Sequence, residues 1–336
     1  MEKPMSVEPK KMKAIVQEEY GSTPEDVLRI SQVAQPTIGD NELLVRVVAA
    51  SVDRGTWHMM SGLQYPIRLG IGMRRPKALN PGRSFAGTVD HVGQNVTDFQ
   101  PGDEVFGTCD GAFAEFARAQ SRKIALKPAN LSFEQAAAIP VSALTALQAL
   151  RDKAQLRAGQ SVLIVGASGG VGSFAIQIAK ALGAEVTGVC STAKVDLVIS
   201  LGADHVIDYS LQNFASDTRR YDVILDIGGV SRLSDLRHVL APHGRLVTIG
   251  GESTARWIWP TAGRQIRSLF ISPFVGQKLL SILASENSED LSVLRGLVEA
   301  ANLVPAIDRS FTLSETSAAI RYVQDGHARG KVVVSV

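Results

Sequence analysis

The sequence predicts an α/β fold, a doubly wound parallel sheet of about six strands joined to a β-rich domain, and three observations predict it. Ser161-Val-Leu-Ile-Val165, Gly166-Ala-Ser-Gly-Gly-Val-Gly172 and Ser173-Phe-Ala-Ile-Gln-Ile-Ala-Lys180 read in succession as strand, glycine turn and helix. From about residue 132, strand signals alternate with helical ones, as helices on both faces of a parallel sheet require. Before about residue 130, short strand signals follow one another and are punctuated by Pro and Gly.

In chain order, residues 1–11 read as a disordered lead-in, and Met12-Lys-Ala-Ile-Val16 opens the first strand. Glu42-Leu-Leu-Val-Arg-Val-Val-Ala-Ala-Ser51 is a second. Ala86-Gly-Thr-Val-Asp-His-Val-Gly93 and Asp103-Glu-Val-Phe-Gly107 are shorter ones. Residues 133–149 are apolar and helical, but Pro140 should break or kink the helix, because it lacks the backbone donor and its ring crowds the preceding turn. The apolar run 161–165 suits a strand covered on both faces. Glu185-Val-Thr-Gly-Val-Cys190, Asp204-His-Val-Ile-Asp-Tyr209, Tyr221-Asp-Val-Ile-Leu-Asp226 and Gly244-Arg-Leu-Val-Thr-Ile249 continue the sheet, with helices over 194–202 and 231–240. Beyond Ile271 come a charged helix over 288–301 and a terminal strand, Gly330-Lys-Val-Val-Val-Ser-Val336, so the tail should return to the first domain.

Strand, glycine turn and helix in that order put a helix N-terminus, with its unpaired N–H groups, at the end of the turn. That is an anion site suited to a pyrophosphate. Two registers, Gly170-x-Gly172-x-x-Ala175 and Ala167-x-Gly169-x-x-Gly172, fit the dinucleotide fingerprint, and the sequence does not choose between them. At the tip of the next strand an NAD-binding unit usually carries an acid for the ribose. Here Ser191-Thr-Ala-Lys194 follows that strand. Hydroxyls and an ammonium suit a 2′-phosphate that a carboxylate would repel, which favours NADP(H) over NAD(H).

Composition narrows the classes further. Hydrophobic residues at 45% with 20% charged are ordinary for a globular protein, and a net charge of +2 gives no case for nucleic acid or an anionic membrane. No apolar run is long enough to span a bilayer, and the start, Met1-Glu-Lys-Pro-Met-Ser, lacks a signal-peptide core. Two cysteines, Cys109 and Cys190, make no disulfide framework, so a cytoplasmic location is the expectation. Cys109 reads as an inert loop thiol with no basic neighbour.

Gly87-Thr-Val-x-x-Val-Gly93, Pro101-Gly-Asp-Glu-Val-Phe-Gly107, Thr145-Ala-Leu, Gly169-Gly-Val-Gly172 and Leu201-Gly-Ala-Asp-His-Val-Ile-Asp-Tyr209 together resemble the medium-chain dehydrogenase/reductase superfamily over nearly the whole chain. Within it the chain is similar to the zinc-independent quinone oxidoreductase branch. The resemblance implies a Rossmann NADP-binding domain over 136–285 and a discontinuous GroES-like catalytic domain over 1–135 with 286–336. It implies Thr145, Ser168, Gly169, Gly170 and Val171 around the nicotinamide and pyrophosphate. Ser191, Thr192, Lys194 and Tyr209 would meet the 2′-phosphate, and Ile249, Gly250 and Lys331 would flank the nicotinamide.

Zinc-dependent relatives place a Cys after the second strand and Gly-His-Glu before the Ala-Gly-Thr-Val strand; here stand Val52-Asp53 and Gly82-Arg83-Ser84. The six histidines (His58, His91, His205, His238, His243, His327) show no ligand spacing, so no zinc is expected. Without a Lewis acid, a simple ketone or alcohol loses its usual electrophile. A quinone or another α,β-unsaturated carbonyl needs less help, because the charge arriving with hydride spreads onto a conjugated oxygen. Holding nicotinamide C4 roughly 3–3.5 Å from the acceptor carbon, with one or two donors near the developing enolate, then carries the chemistry.

The candidate donors are Asp53, His58 and Tyr65, in Asp53-Arg-Gly-Thr-Trp-His58-Met-Met-Ser-Gly-Leu-Gln-Tyr65-Pro66. Relatives often carry Asn, Asp and Tyr where this chain has Asp53, Thr56 and His58; Tyr65-Pro66 matches. His58 can shuttle a proton near neutral pH, or simply hydrogen-bond a backbone carbonyl. Tyr65 is a donor or a cleft-wall aromatic, and Trp57, Met59 and Met60 suit an apolar pocket or ordinary core packing.

A short-chain dehydrogenase would need Tyr-x-x-x-Lys. The residues four after Tyr20, Tyr65, Tyr209, Tyr221 and Tyr322 are Pro24, Leu69, Asn213, Leu225 and Gly326, which excludes it. An enoyl-thioester or enal reductase of the same superfamily is the nearer alternative, with Arg68, Arg74, Arg75 and Lys77 as a patch for a bulky carrier. A non-catalytic NADPH-binding sensor or structural protein is the alternative of another class. Trp257 and Trp259 would lie near the cleft or a subunit contact, and residues 279–283 would form the pairing strand of a homodimer.

Overall fold

The computed structural model describes residues 10–63, 65–250 and 276–336, so the expectations for Trp257 and Trp259 lie outside the described residues. The N-terminal region is β-rich. β1 (Lys11–Gln17) and β2 (Leu28–Ala34) form an antiparallel ribbon. β3 (Glu42–Val52), β4 (Ser84–Val92), β5 (Glu104–Thr108), β6 (Phe116–Gln120) and β7 (Ile124–Leu126) build the larger sheet. A second sheet follows, made of β8 (Ser161–Val165), β9 (Glu185–Cys190), β10 (His205–Asp208), β11 (Tyr221–Asp226), β12 (Leu240–Ile249) and β13 (Lys278–Ile282). The last strands, β14 (Ile307–Thr312) and β15 (Lys331–Ser335), return to the first sheet, whose order is β14-β15-β3-β4-β5-β7 with β6 also on β3.

The second sheet is parallel throughout, in the order β10-β9-β8-β11-β12-β13. Val162, Leu163 and Ile164 are fully buried, as expected of a central strand covered on both faces. After β10 the chain crosses to the other side of β8. The strand order therefore reverses between β8 and β11, and a crevice opens at their carboxyl ends. Pro140 acts as expected: one helix covers Phe133–Ala137, and the next, Pro140–Gln148, begins with the proline at its first turn, where no donor is needed. One apolar core joins the two sheets, with Ala49 and Phe106 of the first packed into the cluster that holds Leu144 and Phe174. Among the described residues no helix is long and apolar enough to cross a membrane.

Four strands carry no clear signal in the sequence: β2, β6, β7 and β14. β14, Ile-Asp-Arg-Ser-Phe-Thr, has no fully buried residue, and it is a strand because β15 offers it a ladder. The tail joins the first sheet through β15, which runs antiparallel to β3 with Val332 opposite Val52. That register brings Lys331 to the end of β3, beside the crevice.

Candidate active site

The crevice begins with the glycine loop. Gly166 follows β8 with φ +87°, a left-handed conformation that favours glycine. Its N–H and that of Ala167 both donate to the Val189 carbonyl, at 3.2 and 3.0 Å. Gly169 caps the helix Gly170–Ala181 without a side-chain bond, so the first N–H groups of that helix stay open to a ligand. A Cβ on Gly172 would stand 2.2 Å from the Gly166 oxygen, so the helix can approach the loop only without a side chain there. This is the packing role of the third fingerprint glycine, and it selects the register Ala167-x-Gly169-x-x-Gly172. Ser168 is buried, and Val171 is half-buried against the core.

A second corner lies at the tips of β9 and β10. Ser191 is half-buried there, and Thr192–Lys194 forms one tight turn. The Lys194 ammonium donates to the carbonyls of Gly326 (3.1 Å) and Ala328 (2.9 Å), so it reaches from β9 to the loop before β15. Burial lowers its pKa. Tyr209 is 62% exposed at the end of β10, so its ring is available to a ligand rather than packed away. The four residues expected at a 2′-phosphate therefore share one corner. Sequence reasoning passed over a fifth, Asp208, whose carboxylate the Thr192 hydroxyl holds below the usual range and which also accepts from Ser210 N at 2.8 Å. The corner thus carries an acid, on the third strand rather than the second.

Between these corners the two sheets meet in a buried charge cluster. Asp53 follows β3 and caps the helix Arg54–Ser61 in a reciprocal box with Thr56. Its Oδ1 accepts from the Lys331 ammonium in a short contact and from Ser142 Oγ at 2.6 Å; its Oδ2 accepts from Ser84 Oγ at 3.3 Å. Lys331 also donates to Ser142 Oγ at 3.1 Å and is only 1% exposed. Gly330 N donates to the Ser168 carbonyl at 2.8 Å, and a Cβ on Gly170 would lie 3.2 Å from both Lys331 Cδ and Ser142 Oγ. The glycine loop therefore rests directly on this cluster. Thr145, one turn beyond Ser142, donates to the Val141 carbonyl at 2.7 Å. Asp53 stands as an acceptor for three side-chain donors, and Lys331, expected beside the nicotinamide, points into the protein beneath the loop. Ser84 and Ser142 have no local signal, because their partners lie 31 and 89 positions away from them in the chain.

A second cluster ties the sheets at the other side. Glu286, in the crossover after β13, accepts from Arg83 Nη2 at both oxygens (2.6 Å each), from Arg83 Nε at Oε1 (3.1 Å), and from Lys123 at 2.9 Å. Burial pushes Glu286 up, but the two cations hold it below the usual carboxylate range. Cys109 lies close enough to feel both Arg83 and Lys123, so the expectation that it has no basic neighbour is corrected. Burial prevails and pushes the thiol well up, which keeps it inert. Both cysteines are free and buried.

His58 sits on the helix after Asp53, edge-on to Trp57 with ring centroids 5.1 Å apart. Burial, with the Arg54 charge behind it, lowers its pKa to about 4, so the imidazole is neutral at pH 7. The charge a neutral-pH proton shuttle would use is absent. Above pH 6.5 neither the folded nor the unfolded state protonates this ring; between 6.5 and about 4 only the unfolded state does. Stability should therefore fall as pH drops through that window, by about 3 kcal/mol in all. His58→Gln should flatten the difference in denaturation midpoint between pH 7 and pH 5. An unchanged slope in the variant would remove the ring from this account.

Tyr65 lies in a short turn, Tyr65–Ile67, with the Arg68 guanidinium 4.8 Å from its ring centroid and 4.4 Å from that of Tyr20. Ile249 ends β12 and is buried; Gly250 follows it in an exposed left-handed conformation, φ +74°.

Comparison with known proteins follows the same two halves. The alcohol dehydrogenase GroES-like domain family matches residues 39–129, and the zinc-binding dehydrogenase family matches residues 201–334. A 2-methylene-furan-3-one reductase of Solanum lycopersicum is 33% identical, over 97% of this chain and 79% of its own. The quinone oxidoreductase from Coxiella burnetii superposes with a TM-score of 0.85 at 31% identity, covering 97% of this chain and 100% of that one. The CurK enoyl reductase superposes with a TM-score of 0.84 at 27% identity, covering 97% and 99%.

Proposed function

The chain belongs to the medium-chain dehydrogenase/reductase superfamily, and on that premise we propose that it is a zinc-independent reductase that takes hydride from NADPH and delivers it to a quinone or another α,β-unsaturated carbonyl. That it is an oxidoreductase follows from the family. The finer reading rests above all on one observation: a glycine loop at the strand-order reversal, with Ser191, Lys194 and exposed Tyr209 gathered at its far corner.

In this reading the bound NADPH supplies the hydride from nicotinamide C4. The open N–H groups after Gly169 hold the pyrophosphate, and Ser168, Gly170, Val171 and Thr145 line its path. Ser191 and Lys194 meet the 2′-phosphate. Lys194 does so on leaving the carbonyls of Gly326 and Ala328. Ile249 and Gly250 border the nicotinamide. Lys331 and Asp53 do not reach the acceptor; they fix the floor under the loop and hold the helix that carries His58. Neutral His58 and the Tyr65 side of the cleft are left to donate hydrogen bonds to the enolate oxygen, and the proton comes from water.

The residues present do not fit a zinc ion. Asp53 already faces the ammonium of Lys331, a resident cation, and Arg83 is bound to Glu286. Among the described residues no three of His, Cys, Asp or Glu form a cluster able to hold a metal. The sheet memberships support a division into residues 1–135 with 286–336 and residues 136–285. A cytoplasmic setting and a homodimer through β13 complete the reading.

The test is loss of dihydronicotinamide absorbance with 1,4-benzoquinone, 9,10-phenanthrenequinone and a crotonyl thioester, each with NADPH and with NADH. Turnover of a quinone with NADPH, and a clear preference over NADH, is expected. Turnover of the thioester alone would move the assignment to an enoyl reductase, as the similarity to CurK allows. Tight NADPH binding with no acceptor would make it a binding protein.

A further inference from the structure

The segment that follows the candidate donors is charged with one sign only. From Arg54 to Val89, thirty-six residues, there is no Asp or Glu, while Arg54, Arg68, Arg74, Arg75, Lys77 and Arg83 make six cations. The net charge of +2 hides this, because the balancing acids lie elsewhere in the chain. Three of the six are occupied: Arg54 donates to the Val323 and Gln324 carbonyls, Arg68 stacks between Tyr20 and Tyr65, and Arg83 binds Glu286. Arg74 and Arg75 are exposed and, among the described residues, make no ion pair or hydrogen bond. Among the described residues the Lys77 ammonium reaches only the Gly70 carbonyl, at 3.2 Å.

Large apolar side chains share the excursion. Leu69 is 73% exposed, Met73 63%, Leu79 53% and Ile67 38%. A single exposed leucine needs no explanation, but four within thirteen residues, interleaved with unpaired cations, do. The excursion is also held in place. Tyr20 Oη donates to the Gly72 carbonyl at 2.8 Å, Arg68 Nε donates to the Gly62 carbonyl at 2.8 Å, and Pro76 is buried. Its base is anchored while its tip presents apolar and basic groups to solvent.

We infer that residues 67–79 form a docking site for the surface of an anionic lipid bilayer. The chemistry of the two halves decides the partner. Arg74, Arg75 and Lys77 match lipid phosphates, and each cation near such a surface strengthens binding roughly fivefold. Leu69, Met73 and Leu79 need a medium that accepts apolar groups at irregular spacing, which acyl chains do without a shaped complement. An acidic carrier protein would pair the cations yet require a matching apolar surface of its own. The segment begins beside Tyr65, so an apolar acceptor dissolved in the bilayer would enter the cleft on that side. Only this last step depends on the function proposed above; the docking itself does not.

Sedimentation of the full chain with vesicles tests it, using phosphatidylcholine alone and phosphatidylcholine with about one-third phosphatidylglycerol. The protein should bind the anionic vesicles, leave the neutral ones in solution, and be released by high salt. Arg74→Gln with Arg75→Gln should weaken binding roughly thirtyfold, and Leu69→Ser with Met73→Ser should weaken it further than charge screening alone. Both variants should keep the wild-type denaturation midpoint and wild-type turnover of a water-soluble quinone. No binding to anionic vesicles at low salt would overturn the inference. So would binding unaffected by the leucine and methionine changes, which would be plain electrostatic adsorption. Capture by polyglutamate without vesicle binding would assign the site to an acidic protein, and self-association abolished by Leu69→Ser with Met73→Ser would assign it to a second copy.

Discussion

Lys331→Met should destabilise the protein by about 3–5 kcal/mol, the loss expected when one partner of a buried ion pair is removed and the other is left uncompensated. Lys331 is 1% exposed, and its ammonium faces the Asp53 carboxylate, which has two serine hydroxyls as its remaining side-chain donors. Methionine matches the length of the stem but leaves that carboxylate without a countercharge. Taking the charge away from both sides, in Lys331→Met with Asp53→Asn, should recover most of the loss, because the amide oxygen still accepts from Ser142 and the amide nitrogen donates to Ser84 Oγ in place of the oxygen that accepted from it. Urea denaturation of the two single variants and the double gives the coupling directly. A coupling below about 1 kcal/mol, the range of exposed surface pairs, would mean that the contact is weak and that the floor of the crevice is held by packing alone. The same cycle read by NADPH affinity separates support from binding. If Lys331 acts through the glycine loop above it, affinity should follow stability in the single variant and return in the double.

How much of this was legible in the sequence follows the distance over which each signal acts. The glycine loop is local: apolar strand, turn and helix lie within twenty residues of one another, and periodicity with glycine spacing finds them. Its register is not local in that sense, because only the approach of Gly172 to the Gly166 oxygen separates the two readings. Asp53 and Lys331 each stand out, one by its place after a strand and the other by its place after Gly330. That they face each other across 278 positions is set by the pairing of β15 with β3. The neutral state of His58 depends on burial, which a lone histidine in a helix does not announce. Asp208 sits in a strand the sequence identifies, yet its role depends on the parallel register that sets it level with Cys190, next to Thr192. Tertiary pairing, rather than propensity, also made a strand of the polar segment β14.

Gly172→Ala and Gly169→Ala should separate the two jobs a glycine does in this loop. A Cβ on Gly172 would stand 2.2 Å from the Gly166 oxygen and 2.7 Å from two Ala167 backbone atoms, and none of these can move without moving the loop. The cost should be that of overpacking, about 1–3 kcal/mol of stability. The displaced N–H groups should also lose NADPH affinity by tenfold or more, since each factor of ten is about 1.4 kcal/mol. Gly169 is different: its φ of −82° suits any residue, and the nearest atom to an added Cβ is the Gly166 oxygen at 3.5 Å, an ordinary contact. Alanine there should leave stability within about 0.5 kcal/mol of wild type. It should still weaken NADPH binding, because the added methyl occupies the path by which a pyrophosphate approaches the helix N-terminus. Thermal unfolding beside a fluorescence titration with NADPH reads both quantities on the same samples. If Gly169→Ala binds NADPH as tightly as wild type, the dinucleotide does not come close to this loop, and the glycines serve the packing of helix on strand alone.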